Sequence, residues 1–454
     1  MNQLTGEELI KLSGGIAANQ FNFTQSVTKV TLDSRKTALG KCLFVAIRGE
    51  NNDGHDYVRQ VVSNPTNFAL VALDFSEDLP NLIRVADTTL GLGSLAANYR
   101  QLFDIPVVAI TGSNGKTTVK EMLRSVCQSY FGVDQVLATG GNLNNHWGMP
   151  LTLLELETKH SVAIIEIGMN HSGELNYLTH LAKPTVAVVN NVMFAHAGHF
   201  TSLAEIAAAK GEIYHGLDAT GVACVDSSSQ FSQKWLCNDI KSKIFSYGSP
   251  ATQCFIKTLS AEHALYQTPE GELMVQLKVL GAHNYYNALT VIALALNLGC
   301  SLAAIKLGLE NYAGYKGRLE RKSAFNGALI IDDTYNANPD SVKAALAAIQ
   351  NLPQPHWFIF ADLKELGEHE LEFHREIGEA ANLSGVEHLI TVGKLAKHAA
   401  QFFTGDKINF ENNADVVKYC LSCLPPKATL LIKGSNSMNL AEVASQLTAL
   451  KTTL

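Results

Sequence analysis

The stretch "TGSNGKTT", Thr111 to Thr118, decides how the rest of the chain is read. It follows the apolar run "PVVAI" (106–110) and precedes "VKEMLRSVCQSYF" (119–131), so a glycine-rich turn joins a strand to a helix. Gly112 and Gly115 let the backbone turn tightly and aim its N–H groups at an anion, helped by the helix N-terminus. Lys116 would then reach the β- and γ-phosphates of a nucleotide, and the Thr117 hydroxyl would ligate Mg²⁺. The spacing departs from the common G-x-x-x-x-G-K-[ST] pattern, since only Ser113 and Asn114 separate the two glycines. The competing reading is an ordinary Gly-Ser-Asn turn that happens to precede a lysine. The strand and helix on either side weigh against it.

Downstream of the loop, Val119, Met122, Leu123 and Val126 recur at helical spacing. "VAIIEI" (162–167) and "TVAVVN" (185–190) are continuous apolar runs, as in strands buried on both faces of a parallel sheet. A second alternation of strands and helices starts at "GALIIDDTYN" (327–336) and runs through "HWFIFAD", "HLITVG" and "TLLIKG". "NYAGYKGR" (311–318) reads as a hinge between the two. Upstream, "KCLFVAI" and "FALVAL" suggest a small α/β unit ending near Pro80, with "LPNLIRVADTT" leading into the next. At 454 residues, and about 150 per domain, three domains are expected. The fold class is α/β, divided at 1–82, 83–314 and 315–454.

Hydrophobic residues make up 46% and charged ones 17%, enough apolar material for a sizeable core. A net charge of −7 leaves no basic surplus to neutralise phosphates, which argues against a nucleic-acid partner. No run approaches 18 uninterrupted apolar residues, and "MNQLTGEELIKLSGG" has no signal-like apolar region. The expectation is a cytoplasmic, monomeric protein without membrane insertion. Eight scattered cysteines suit a reducing compartment. Cys420 and Cys423 have C-x-x-C spacing but no companion zinc ligands nearby, and are read as core packing on a helix.

A cation at the phosphate loop needs an acid at a neighbouring strand end, and Glu166 closes "VAIIE". His196 and His199 follow "TVAVVN" on the same carboxyl edge of the sheet. In "SLAEIAAAKGEIYHGL", Lys210 sits in the middle of a helical apolar stripe with Leu203, Ile206, Ala207, Ile213, Tyr214 and Leu217. Either the lysine snorkels, or desolvation leaves a neutral amine that takes up carbon dioxide as a carbamate.

With "GAHNYYNAL" (281–289), "GRLE" (317–320) and "DDTYNANPDS" (332–341), these residues closely resemble the ATP-dependent Mur ligases of peptidoglycan synthesis. "DSRKTALGKCLFVAIRGENNDGHDYV" (33–58), "GNLNNHWGMPLTLL" (141–154) and "LLIKGSNS" (430–437) look most like the member acting last in the series. The resemblance implies a small N-terminal α/β domain for the UDP end of the substrate and a central, mostly parallel ATPase domain. A Rossmann-like C-terminal domain would take the amine side. It also implies that the shortened glycine loop is a family variant, with Gly112, Ser113, Asn114, Gly115, Lys116, Thr117 and Thr118 on the nucleotide. Thr117 and Glu166 look like ligands of one Mg²⁺, His196 and carbamylated Lys210 like ligands of a second. Lys116, Lys210, His196 and Glu166 form the implied catalytic set. Asn287 would face the adenine, and Arg318 and Asp333 would reach the nucleotide from the third domain. Ser34 and Arg35 resemble residues near the uridine diphosphate, and Asn142, Asn144, Asn145 and Asn336 resemble substrate contacts. The implied partners are UDP-N-acetylmuramoyl-tripeptide and D-alanyl-D-alanine, joined through an acyl phosphate.

Two alternatives stay open on the residues alone. A sister ligase or a folylpolyglutamate synthase would share the central domain. A nucleotide-switched binding protein would use the loop with one Mg²⁺ and no carbamate.

Overall fold

The computed structural model describes residues 1–194, 200–237 and 240–449. The first sheet has the strand order Ile16–Ala17, Leu82–Val85, Phe68–Ala72, Cys42–Val45, Lys29–Thr31, parallel except for the first pair. Leu43, Val45, Phe68 and Leu70 pack on one side of it, Phe44, Ala46, Ala69 and Val71 on the other. That double burial explains why these strands read as unbroken apolar runs.

The first unit does not end at residue 82. Leu82–Val85 is a strand of the first sheet, parallel to Phe68–Ala72. Asn81, at φ 57°, only turns the chain into it, so Pro80 punctuates a short crossover and not a domain boundary. The chain leaves the sheet through helix Thr88–Arg100, capped by Asp87, whose side chain accepts from the Leu90 N–H at 2.9 Å. Leu92, Leu95 and Ala96 of this helix share one apolar cluster with Leu70 of the first sheet and Val107 of the next.

The central sheet is six-stranded and parallel throughout, in the order Lys243–Tyr247, Val222–Asp226, Val186–Val189, Val107–Thr111, Val162–Glu166, Val136–Ala138. Its first strand in sequence, Val107–Thr111, lies inside the sheet, so the chain builds outward from it in both directions. This is the topological switch point at which open α/β sheets bind ligands, beyond the carboxyl ends of the strands. Val108 and Ile110 pack against the fully buried Val119, Met122, Leu123 and Val126 of helix Lys116–Phe131. Helix Leu302–Asn311 crosses that helix at Gly308, where a Cβ would stand 2.3 Å from the Val126 Cα. A three-stranded antiparallel sheet, residues 255–275, and helix His283–Asn297 complete the unit.

The C-terminal sheet runs Glu320–Ser323, Leu329–Asp332, Thr429–Lys433, His356–Ala361, His388–Val392, Asp406–Phe410, antiparallel only at the first pair. Cys420 is core, but Cys423 at the end of the same helix is exposed. Only one of the two cysteines therefore packs as expected, because the second is the last residue of the helix, where the buried stripe runs out.

Candidate active site

Three adjacent strand ends frame the phosphate loop: Thr111, Glu166 and Val189. The polar residues just past the last of these hold the loop in shape. Asn191 accepts the Asn114 N–H on its side chain at 2.8 Å and the Ser113 N–H on its carbonyl at 3.0 Å. The side-chain amides of Asn190 and Asn191 both donate to the Asn114 carbonyl, at 3.0 and 2.9 Å. Asn190 also donates to Asn287 Oδ1 at 3.0 Å. Gly115 has φ 77°, and a Cβ there would stand 2.7 Å from both Asn190 Nδ2 and Asn287 Oδ1. Only glycine fits, for conformation and for space.

Lys116 folds back on its own loop, its ammonium donating to the Gly112 carbonyl at 2.7 Å and the Ser113 carbonyl at 3.3 Å. Burial holds its pKa below the usual lysine value, with Glu166 nearby acting the other way and Arg318 with it. Thr117 is buried, 2% exposed.

Glu166 is equally buried. Its Oε1 accepts from Asn144 Nδ2 at 2.9 Å, while Oε2 has no hydrogen-bond partner among the described residues. An orphaned carboxylate oxygen beside a phosphate loop is costly unless a cation meets it. Thr117 and Glu166 therefore fit a divalent ion. For a second ion the described residues supply no group of three or more His, Cys, Asp or Glu side chains. His196 and His199 lie outside the described residues. Lys210 is 2% exposed, so the ammonium does not snorkel to water. Burial drives its pKa far down, and the Lys116 charge adds to the effect. Burial disfavours the charged form, which is the condition under which a lysine amine takes up carbon dioxide.

Across the loop stands the third unit. Asn338 caps helix Pro339–Ile349 by accepting the Ser341 N–H at 2.9 Å, and its amide also pairs with that of Asn114, with N···O distances of 2.6 and 3.2 Å. Asp333 accepts from Lys433 Nζ at 2.5 Å and from the Leu319 N–H at 3.1 Å. Lys433 also donates to the Asn336 carbonyl at 3.0 Å. A cavity of about 350 Å³ is lined by Asn114, Gly115, Thr118, Asn287, Arg318 and Asp333, with Tyr247, Leu289 and Tyr312 as apolar walls. A second, of about 340 Å³, lies between Ser113, Lys116, Arg318, Asn336, Lys364 and Ser435. Residues of the phosphate loop and of the third unit thus line the same cleft.

The remaining expected residues lie elsewhere. Ser34 and Arg35 open a short 3₁₀ turn of the first unit, Arg35 clamping Asp33 through Nε at 2.8 Å and a terminal nitrogen at 2.9 Å. Asn142 is exposed, and neither it nor the Ser34–Arg35 turn lines the two cavities. Asn145 accepts the Gly148 N–H at 2.8 Å, so its side chain shapes the start of a helix. Trp147 donates its indole N–H to Thr89 Oγ1 at 3.2 Å, joining the asparagine loop to helix Thr88–Arg100. Sequence reading passed over Asn190, Asn191 and Lys433. The signal was there: polar residues at or just past the ends of buried strands on the carboxyl edge.

Two family models match the chain: the Mur ligase middle domain over residues 110–295 and the Mur ligase, glutamate ligase domain over residues 317–436. The UDP-N-acetylmuramoyl-tripeptide–D-alanyl-D-alanine ligase of Escherichia coli K12 is 37% identical over 428 residues, covering 92% of this chain and 93% of that one. The chain belongs to the Mur ligase family. A crystal structure of MurF from Acinetobacter baumannii superposes on this Mur ligase with a TM-score of 0.91 at 33% identity, covering 99% of both chains. The MurF ligase of Thermotoga maritima, solved in complex with ADP, shares the fold with a TM-score of 0.81 at 23% identity, covering 94% of this chain and 98% of that one. The protein is a ligase of peptidoglycan-precursor synthesis.

Proposed function

We propose that this Mur ligase phosphorylates the terminal carboxylate of UDP-N-acetylmuramoyl-tripeptide with ATP and joins the resulting acyl phosphate to D-alanyl-D-alanine. The activity of the Escherichia coli relative supports this reading. The observation that carries it is the cavity shared by Lys116 of the phosphate loop with Arg318, Asn336 and Ser435 of the third unit. A nucleotide's γ-phosphate and an incoming amine meet in such a space. A carboxylate oxygen attacks the γ-phosphorus and ADP leaves. The dipeptide amine, having lost a proton, then attacks the acyl carbon, and the tetrahedral intermediate expels phosphate.

Lys116 exchanges its own loop carbonyls for the β- and γ-phosphate oxygens. Arg318 adds a second positive group from the opposite wall, and Asn287 and Asp333 orient the nucleotide. Mg²⁺ held by Thr117 and Glu166, and a second ion held by carbamylated Lys210 and His196, would neutralise charge between the γ-phosphate and the carboxylate. Ser34 and Arg35 face the uridine diphosphate end, with Asn142, Asn144, Asn145 and Asn336 along the peptide. Gly314 and Gly317, at φ 100° and 68°, give the linker the freedom to close the third unit and exclude water from the acyl phosphate. The enzyme works as a monomer in the cytoplasm. In support of a reducing compartment, all eight cysteines are free.

A substrate matrix tests the reading: lysine- and diaminopimelate-containing UDP-tripeptides against several dipeptides and single amino acids, scored by phosphate release. Release that needs both a UDP-tripeptide and D-alanyl-D-alanine supports it; release with a single amino acid, or without an acceptor, overturns it.

A further inference from the structure

Four side chains stand in a line from the phosphate-loop helix to the third unit. Lys120, one turn past Lys116, is wholly buried. Its ammonium donates to the Thr139 carbonyl at 2.7 Å, pairs with Glu121 at 2.9 Å and lies 5.6 Å from the centroid of the Tyr315 ring. Tyr315, in the linker, meets Tyr335 edge-on, with ring centroids 6.1 Å apart and planes at 73°. Tyr335 presents its face to Arg318, whose Cζ is 4.2 Å from the ring centroid. The main chain ties the same pieces together, since the Tyr335 N–H donates to the Gly317 carbonyl at 3.1 Å.

Arg318 lines both cavities of the cleft. Its Nε is buried and has no hydrogen-bond partner among the described residues. A buried guanidinium N–H without an acceptor is unfavourable by itself, and an anionic group entering the cleft would satisfy it. What holds the guanidinium meanwhile is an aromatic face, which attracts a cation while taking none of its hydrogen-bond donors. A carboxylate partner would compete with the phosphate; a ring does not.

We propose that Tyr335 is a positioning residue for phosphoryl transfer. Its ring holds the Arg318 guanidinium over the phosphate loop with the donors free, and Lys120 and Tyr315 brace the ring from the ATPase side. The proposal rests on the reading above in one respect, that Arg318 meets the nucleotide.

The test is a double-mutant cycle on the full chain, read as the dissociation constant of a non-hydrolysable ATP analogue with Mg²⁺. Tyr335→Leu weakens analogue binding about tenfold, as expected for loss of a partly desolvated cation–π contact. Tyr335→Phe, which keeps the ring and removes only the hydroxyl beside Thr117, stays within about threefold of the parent. Tyr335→Leu combined with Arg318→Gln is no weaker than Arg318→Gln alone, because the ring acts only through the guanidinium. Multiplying effects, or a Phe variant as weak as the Leu variant, would overturn the proposal. Tyr315→Leu leaves the Arg318 stack itself in place and weakens binding by about threefold through the lost brace; an unchanged value removes the bracing part. Melting temperatures are recorded for every variant, and if Tyr335→Leu does not fold, Tyr335→Met takes its place in the cycle with the same expected and overturning results. Dipeptide-dependent phosphate release by the parent protein is measured alongside. Its absence would sink the functional reading while leaving the binding cycle able to judge Tyr335.

Discussion

The Lys433 ammonium, 1% exposed, is bound to the Asp333 carboxylate at 2.5 Å across two adjacent parallel strands. The pair joins the end of Thr429–Lys433 to the segment carrying Arg318, through the Leu319 N–H, and to the Asn336 carbonyl. Breaking it strands a buried charge. Lys433→Met is therefore expected to lower unfolding free energy by about 3–5 kcal/mol. Lys433→Met with Asp333→Leu recovers most of that stability but none of the ATP affinity. Denaturant titration and nucleotide binding on the three proteins check both halves.

Glu166 offers a sharper separation of charge from shape. Glu166→Gln keeps a side-chain oxygen able to accept from Asn144 while removing the negative charge at the unpartnered Oε2. Turnover is expected to fall by about 10²–10³-fold, and half-saturation by Mg²⁺ to move to higher concentration. Activity measured across a magnesium series decides, since an unshifted midpoint would remove Glu166 from the metal.

For Lys210, the expectation concerns what replaces it. Lys210→Ala abolishes ligation, and millimolar acetate or propionate restores part of it by supplying a carboxylate in place of the proposed carbamate. With ¹³C-bicarbonate, the parent protein gives a carbamate carbon resonance that the variant lacks. A parent without that resonance leaves Lys210 an amine.

Asp33 sets a pH test in the first unit. Two hydrogen bonds from the Arg35 guanidinium, with its charge, hold the Asp33 carboxyl down at about 2, against an ordinary 3.8. A depressed carboxyl contributes stability that is complete above the unfolded value and is lost as pH falls through the folded one. The difference in denaturation midpoint between the parent and Asp33→Asn should therefore hold steady above pH 4 and close between pH 4 and 2. Asparagine keeps the cap on the Arg35 N–H, so the difference reports the charge.

Much of this was legible because parallel strands buried on both faces announce themselves. Val107–Thr111, Val162–Glu166 and Val186–Val189 are apolar strings, and the glycines of 112 and 115 mark where the first of them ends. The sheet of residues 255–275 was not seen, because it is half exposed and short, and its alternation in Ala264–Thr268 is carried by polar as well as apolar residues. Leu82–Val85 was assigned to the wrong side of a boundary because a Pro-Asn turn looks the same inside a domain as between two. Lys433 was passed over because a lysine after "TLLI" reads as the wet end of a strand; only the neighbouring strand, about a hundred residues earlier, supplies the carboxylate that lets it be buried. Lys210 was readable as anomalous from its stripe alone, but whether its ammonium reached water depended on packing that no periodicity encodes.

The Trp147–Thr89 contact has a practical consequence. The chain has three tryptophans, and Trp235 and Trp357 are 4% and 7% exposed. Trp147 alone is half-buried, and it bridges the asparagine loop to the helix leading out of the first sheet. Its emission should thus act as a built-in optical gauge of the asparagine loop's contact with that helix, letting stopped-flow mixing time changes at that contact on substrate addition without any attached dye.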